Sequence, residues 1–137
     1  MKSPIGVFGL TAAGGALPNP GTREPYEHDP VDFDVVGTFL GHSISGIYDY
    51  VVPIDFNREP GTPPTDPAEP DGTTEGGGIW LHVGNGTATA GCVTVTRGDM
   101  VRILQFLNPQ QHPVIVMGPG EPVPSPEHRS IRGRPAP

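Results

Sequence analysis

The chain has 137 residues, a net charge of −7 and a pI near 5.0, so it suits one domain and lacks the basic patch a nucleic-acid binder uses to displace counterions. It is 34% hydrophobic with 20 Gly and 19 Pro, a composition of loop-rich β folds or of disorder. One Cys excludes an intrachain disulfide, and no apolar run approaches the ~18 residues of a membrane span.

In chain order, "IGVFGL" (5–10) reads as a short strand and residues 11–30 as a loop punctuated by Gly-Gly and prolines. "VDFDVVGTFL" (31–40) alternates only in part and is a weak strand. "GIYDYVVPIDF" (46–56) is β-branched and aromatic and reads as a strand, with Pro53 arguing for an edge or a bulge. Residues 57–78 form an acidic stretch with five prolines, closed by three glycines. Its composition suits a solvated, mobile excursion, or else a flap over a binding cleft.

"GIWLHV" (78–83) is a strand with Ile79, Leu81 and Val83 on one face and Trp80 and His82 on the other. "CVTVT" (92–96) is a second strand. "TRGDMVRILQFLN" (96–108) is the one clear helix: Thr96 and Asp99 form a capping box, Met100, Ile103, Leu104 and Leu107 make its apolar stripe, and Pro109 stops it. "HPVIVMG" (112–118) is a last apolar strand. The Pro-rich end, 119–137, has no core to bury and reads as a disordered or polyproline-like tail. The expected fold is therefore mainly β, a small sheet-based domain over 1–118 with one helix after the cysteine strand.

The chemistry concentrates in "LHVGNGTATAGCVTV" (81–95), which holds His82 and the sole cysteine, Cys92. A thiol with a pKa near 8.5 is only about 3% ionised at pH 7, and a neighbouring imidazole raises its nucleophilicity and returns the proton to a leaving group. Gly91 permits a tight turn that opens the amides of Gly91 and Cys92 as oxyanion donors. A two-residue hairpin at Asn85-Gly86 would pair His82 with Thr89 and leave Cys92 about 10 Å away. A Cys–His dyad therefore requires residues 84–91 to form a wider loop. The rival reading is a buried thiol beside an unrelated His. His28, His42, His112 and His128 show no metal-binding spacing, and zinc is not expected. His128, Arg129, Arg132 and Arg134 give the tail a basic end, suited to a solvated terminus or to contact with anionic wall polymer.

"IWLHVGNGTATAGCVTV" resembles the active-site segment of bacterial L,D-transpeptidases with the YkuD-type catalytic domain, which carry a His after an apolar strand and then a Ser/Thr-His-Gly-Cys turn. "KSPIGVF" (2–8) is similar to an early strand of that family. "PNPGTREPY" (18–26), "YDYVVPIDFNREP" (48–60) and "MVRILQFLNPQQHPVIVMG" (100–118) resemble segments of a secreted subgroup. The resemblance covers roughly residues 2–118 and implies a YkuD-like β-sheet or sandwich domain.

It further implies Cys92 as nucleophile, His82 as base, the amides of Gly91 and Cys92 as oxyanion hole, and the Val83 carbonyl as the group orienting the imidazole. Thr89 and Ala90 fall at positions that line the substrate, and Trp80, on the same face as His82, either walls the site or packs in the core. Partners implied are peptidoglycan stem peptides and carbapenem-type inhibitors, with no cofactor and an extracytoplasmic, cell-wall location. The chain departs from the family's pattern at Ala90, where a second His is usual, and at Thr94, where Arg or Asn is common. Its Met1 directly precedes a segment that family domains reach only after several strands and an export signal. The resemblance thus leads one to expect a shortened domain with exposed sheet edges. Alternatives left open are an L,D-carboxypeptidase using the same dyad, an inactive fragment or wall-binding module, and a scaffold in which Cys92 is only core.

Overall fold

The computed structural model describes residues 3–39, 41–85 and 92–118, with the backbone of Ile131 and Arg132. The chain is mainly β with one α-helix. A five-stranded sheet carries β2 (Ala13–Gly15), β3 (Tyr26–His28), β6 (Val51–Pro53), β7 (Trp80–Val83) and β8 (Val93–Val95), in the order β3-β2-β6-β7-β8. A second sheet has the order β1-β9-β10, from β1 (Gly6–Gly9), β9 (Val114–Met117) and β10 (Ile131–Arg132). A two-stranded ribbon pairs β4 (Thr38–Phe39) with β5 (His42–Ser43).

Alternation along β7 decides which face does what. Leu81 and Val83 point into the core with Ile79, Val52 and Ile54, and are joined there by Val93 and Val95. The helix α1 (Arg97–Phe106) lays Met100 and Leu104 on that core, with Leu107 at its C-cap. Leu10, Ile115 and Met117 close the core from the other sheet. Thr96 caps the helix as its composition predicts, Oγ1 accepting from the Asp99 N–H at 3.1 Å. The opposite face of β7 is left to Trp80 and His82.

Four readings of the sequence are corrected. Residues 11–30 are not all loop: Ala13–Gly15 and Tyr26–His28 are parallel strands, formed where two glycines let neighbouring backbones approach closely. Residues 31–40 give only the short β4, preceded by a turn in which Asp29 Oδ1 accepts from the N–H groups of Val31 and Asp32. β6 is not an edge strand but lies between β2 and β7. Because the Ile54 N–H donates to the Ile79 carbonyl, the nitrogen of Pro53 faces β2, where pairing is confined to Gly14↔Val51 and no donor is missed.

Fourth, residues 57–78 are largely exposed, as their composition suggests, but hydrogen bonds tie them to the body of the domain. Arg58 pairs with Asp55 at 2.7 Å and donates to the Thr62 carbonyl, Thr65 Oγ1 donates to Glu27 at 2.6 Å, and the Gly61 N–H donates to Thr11 at 2.7 Å. In the tail, Ile131–Arg132 pair antiparallel with β9; the other residues beyond Gly118 lie outside the described part.

Candidate active site

β7 and β8 run parallel, with Leu81 beside Val93, His82 beside Thr94 and Val83 beside Val95. This excludes the hairpin at Asn85-Gly86 and makes the His-to-Cys connection an unusually short parallel crossover. Cys92 lies one step before the first pair, alongside Trp80, and the Trp80 N–H donates to Cys92 Sγ at 3.3 Å. Paired residues of parallel strands share a face, so Cys92 and His82 both project from the face turned away from the core. Strand spacing and rise put their Cα atoms roughly 8 Å apart, a diagonal that two side chains can bridge.

His82 is 5% exposed. Its Nδ1 lies 2.8 Å from the Val83 carbonyl, which fixes the tautomer: Nδ1–H donates, and Nε2 keeps its lone pair. Tyr48 packs edge-on against the imidazole, with ring centres 5.3 Å apart, and against Trp80 at 5.1 Å; Phe33 packs on Trp80 at 5.9 Å. These rings build a half-buried apolar wall around the base.

Burial sets the charge state of both groups. It pulls the His82 pKa below its ordinary 6.5, against the carbonyls of Val83 and Ile47, which favour the imidazolium. It pushes the Cys92 thiol above its ordinary 9.0, with the Trp80 N–H acting in the opposite sense. Tyr48 is likewise raised, first by burial and then by the sulfur's charge beside it. The resting pair is thus a neutral thiol and a neutral imidazole whose Nε2 carries the lone pair.

The Cys92 S–H faces the Gly78 carbonyl at 3.6 Å. Gly78 and Trp80 also border a cavity of about 600 Å³ beneath the 57–78 loop, walled by Asn57, Pro64 and Glu69 among others. The loop therefore adjoins the thiol. Among the described residues no three His, Cys, Asp or Glu side chains gather as a metal site would need. His28, His42 and His112 are exposed. Thr89, Ala90 and Gly91 lie outside the described residues. Residues absent from the sequence reading are Asn57, Ile47 and Gly78. The last two act through backbone carbonyls, which leave no side-chain signature.

The model of the YkuD family, described as the L,D-transpeptidase catalytic domain, matches residues 1–116. The chain belongs to the YkuD family. Members are cysteine-dependent peptidoglycan transpeptidases that act outside the cytoplasm. No curated protein and no solved structure matches the chain. The YkuD match runs from β1 into β9, and so covers both His82 and Cys92. No helix among the described residues is long and apolar enough to cross a membrane.

Proposed function

We propose that the chain is a peptidoglycan L,D-transpeptidase in which Cys92 is the nucleophile and His82 the general base. The observation that carries this reading is the parallel β7–β8 register, which gives Cys92 and a tautomer-fixed His82 a common face beside a large cavity. Cys92 Sγ attacks the carbonyl of the L-centre in a tetrapeptide stem as its proton passes to His82 Nε2. The tetrahedral intermediate expels D-alanine, whose nitrogen receives that proton, and a thioester remains. The amine of a second stem attacks the thioester, His82 takes its extra proton, and the thiol is restored. The amides of Gly91 and Cys92 serve as the oxyanion donors, and the Val83 carbonyl stabilises the transient imidazolium.

Intact-mass measurement with a carbapenem tests the reading. Wild type is expected to gain one adduct, Cys92→Ala none, and His82→Ala to react about 100-fold more slowly. Folded wild type without an adduct would reject it in favour of an inactive or wall-binding module. With a tetrapeptide donor and an amine acceptor, a cross-linked product is expected; tripeptide alone would make the protein an L,D-carboxypeptidase.

A further inference from the structure

The loop over the cavity ends in Gly76-Gly77-Gly78, and Gly78 supplies the carbonyl that faces the Cys92 thiol. The run has no side chains with which to hold that carbonyl. Gly76 and Gly78 adopt φ of 77° and 65°, and glycine moves freely through such conformations. On the C-terminal side the chain is fixed at Ile79, which is buried and whose carbonyl accepts the Ile54 N–H at 2.9 Å.

On the N-terminal side the fixed point is Asn57. Its side-chain amide donates to the Gly76 carbonyl at 2.6 Å and to the Gly72 carbonyl at 2.9 Å, while its Oδ1 accepts the Asp71 N–H at 2.7 Å. Asn57 is 7% exposed and holds a left-handed backbone, φ 53°, a conformation uncommon for a residue other than glycine. One buried side chain thus gathers both the far end of the loop and the start of the glycine run.

We propose that Asn57 is a positioning residue for the nucleophile: by clasping Gly72 and Gly76 it fixes the glycine run and, through the Gly78 carbonyl, the orientation of the Cys92 thiol. A carbonyl dipole aimed at sulfur favours the S–H form and helps to hold the sulfur in one place. Without the clasp the carbonyl swings away and the cavity wall loosens. The thiol then ionises more readily but spends less time aligned with His82. Its consequence for acylation rests on the acyl-transfer reading of Cys92; its consequence for thiol ionisation does not.

The test uses Asn57→Gly, which accepts the left-handed backbone without strain and removes only the clasp. Asn57→Asp accompanies it, keeping the acceptor for Asp71 but turning an oxygen on the two carbonyls. Leu104→Ala is the control, since it weakens the core without touching the loop. Each folded protein, checked by thermal melting, is alkylated with iodoacetamide across pH and acylated with a carbapenem. In both Asn57 variants the alkylation profile is expected to move toward lower pH, with alkylation several-fold faster at neutral pH and acylation about tenfold slower. Leu104→Ala is expected to keep the wild-type profile. Wild-type profiles and rates in the Asn57 variants, or the same shift in Leu104→Ala, would overturn the proposal. A shifted profile in a protein that no carbapenem acylates, wild type included, would uphold the positioning and reject the acyl-transfer reading.

Discussion

At Cys92 and His82 the two pKa displacements run in opposite senses from those of an ion pair. A thiolate–imidazolium pair needs the thiol lowered and the imidazole raised, whereas burial here raises the first and lowers the second. In the proposed acyl transfer, proton transfer would then accompany attack instead of preceding it. Alkylation of Cys92 by iodoacetamide is expected to climb with pH through a value above the ordinary 9.0, without a plateau in the acid range. A rate already constant between about pH 5 and 7 would show a preformed thiolate.

A second residue writes a pH dependence into stability. Glu24 is 3% exposed, and neither carboxylate oxygen has a hydrogen-bond partner among the described residues. Burial, then the charge of Asp55, raises its pKa from 4.5 to about 7. As pH rises between these values the unfolded chain has released a proton that the folded one keeps, so stability falls across that window and levels off above it. The full shift corresponds to on the order of 3 kcal/mol. Urea unfolding at about pH 5 and about pH 8 should show Glu24→Gln losing less stability than wild type over that rise. Equal losses in the two proteins would remove Glu24 as the cause.

Among the elements, β2 depends most on the absence of side chains. A Cβ on Gly15 would lie 2.1 Å from the Asp49 carbonyl oxygen, and one on Gly14 would lie 2.7 Å from that of Glu27. Backbone atoms on both sides cannot yield as a flexible side chain would. Gly15→Ala is expected to cost at least about 2 kcal/mol, against about 1 kcal/mol for loss of the helix cap in Thr96→Ala. Denaturant midpoints would rank the two, and the reverse order would mean that β2 moves aside easily.

The same strand explains the limits of reading this sequence. β7, β9 and α1 were legible because apolar periodicity there coincides with burial, and Thr96 marks the helix start. β2 and β3 were not, because the glycines that permit close strand approach are the residues that usually announce a turn. Pro53 misled in the same way: its rule concerns a missing donor, and none is needed toward β2. Around the candidate site, His82 and Cys92 stood out by residue type. Asn57 did not, since an Asn opening a Pro-rich stretch reads as ordinary loop.

For the molecule as a whole, the sheets divide the labour. The helix and the β1-β9 sheet cover one face of the five-stranded sheet, while the other carries the candidate site. The cost falls on the smaller sheet, where Ile5, Val7 and Val116 are exposed and Val7 and Val116 are cross-strand partners. β1 is also an edge of that sheet among the described residues. An apolar patch on a sheet edge invites intermolecular pairing. Val7→Lys is expected to lower aggregation, followed by light scattering, without altering the alkylation rate of Cys92. Unchanged scattering would place the sticky surface elsewhere.

The chain contains one tryptophan, and its backbone N–H touches the sulfur while its ring lies against Tyr48 and Phe33. Indole emission responds to local polarity and to quenching groups, so occupancy of this thiol is built into the protein's own optical signal. Acylation of Cys92 in the proposed reaction, and entry of a ligand into the neighbouring cavity, should each be readable in real time, without a label, from the one tryptophan.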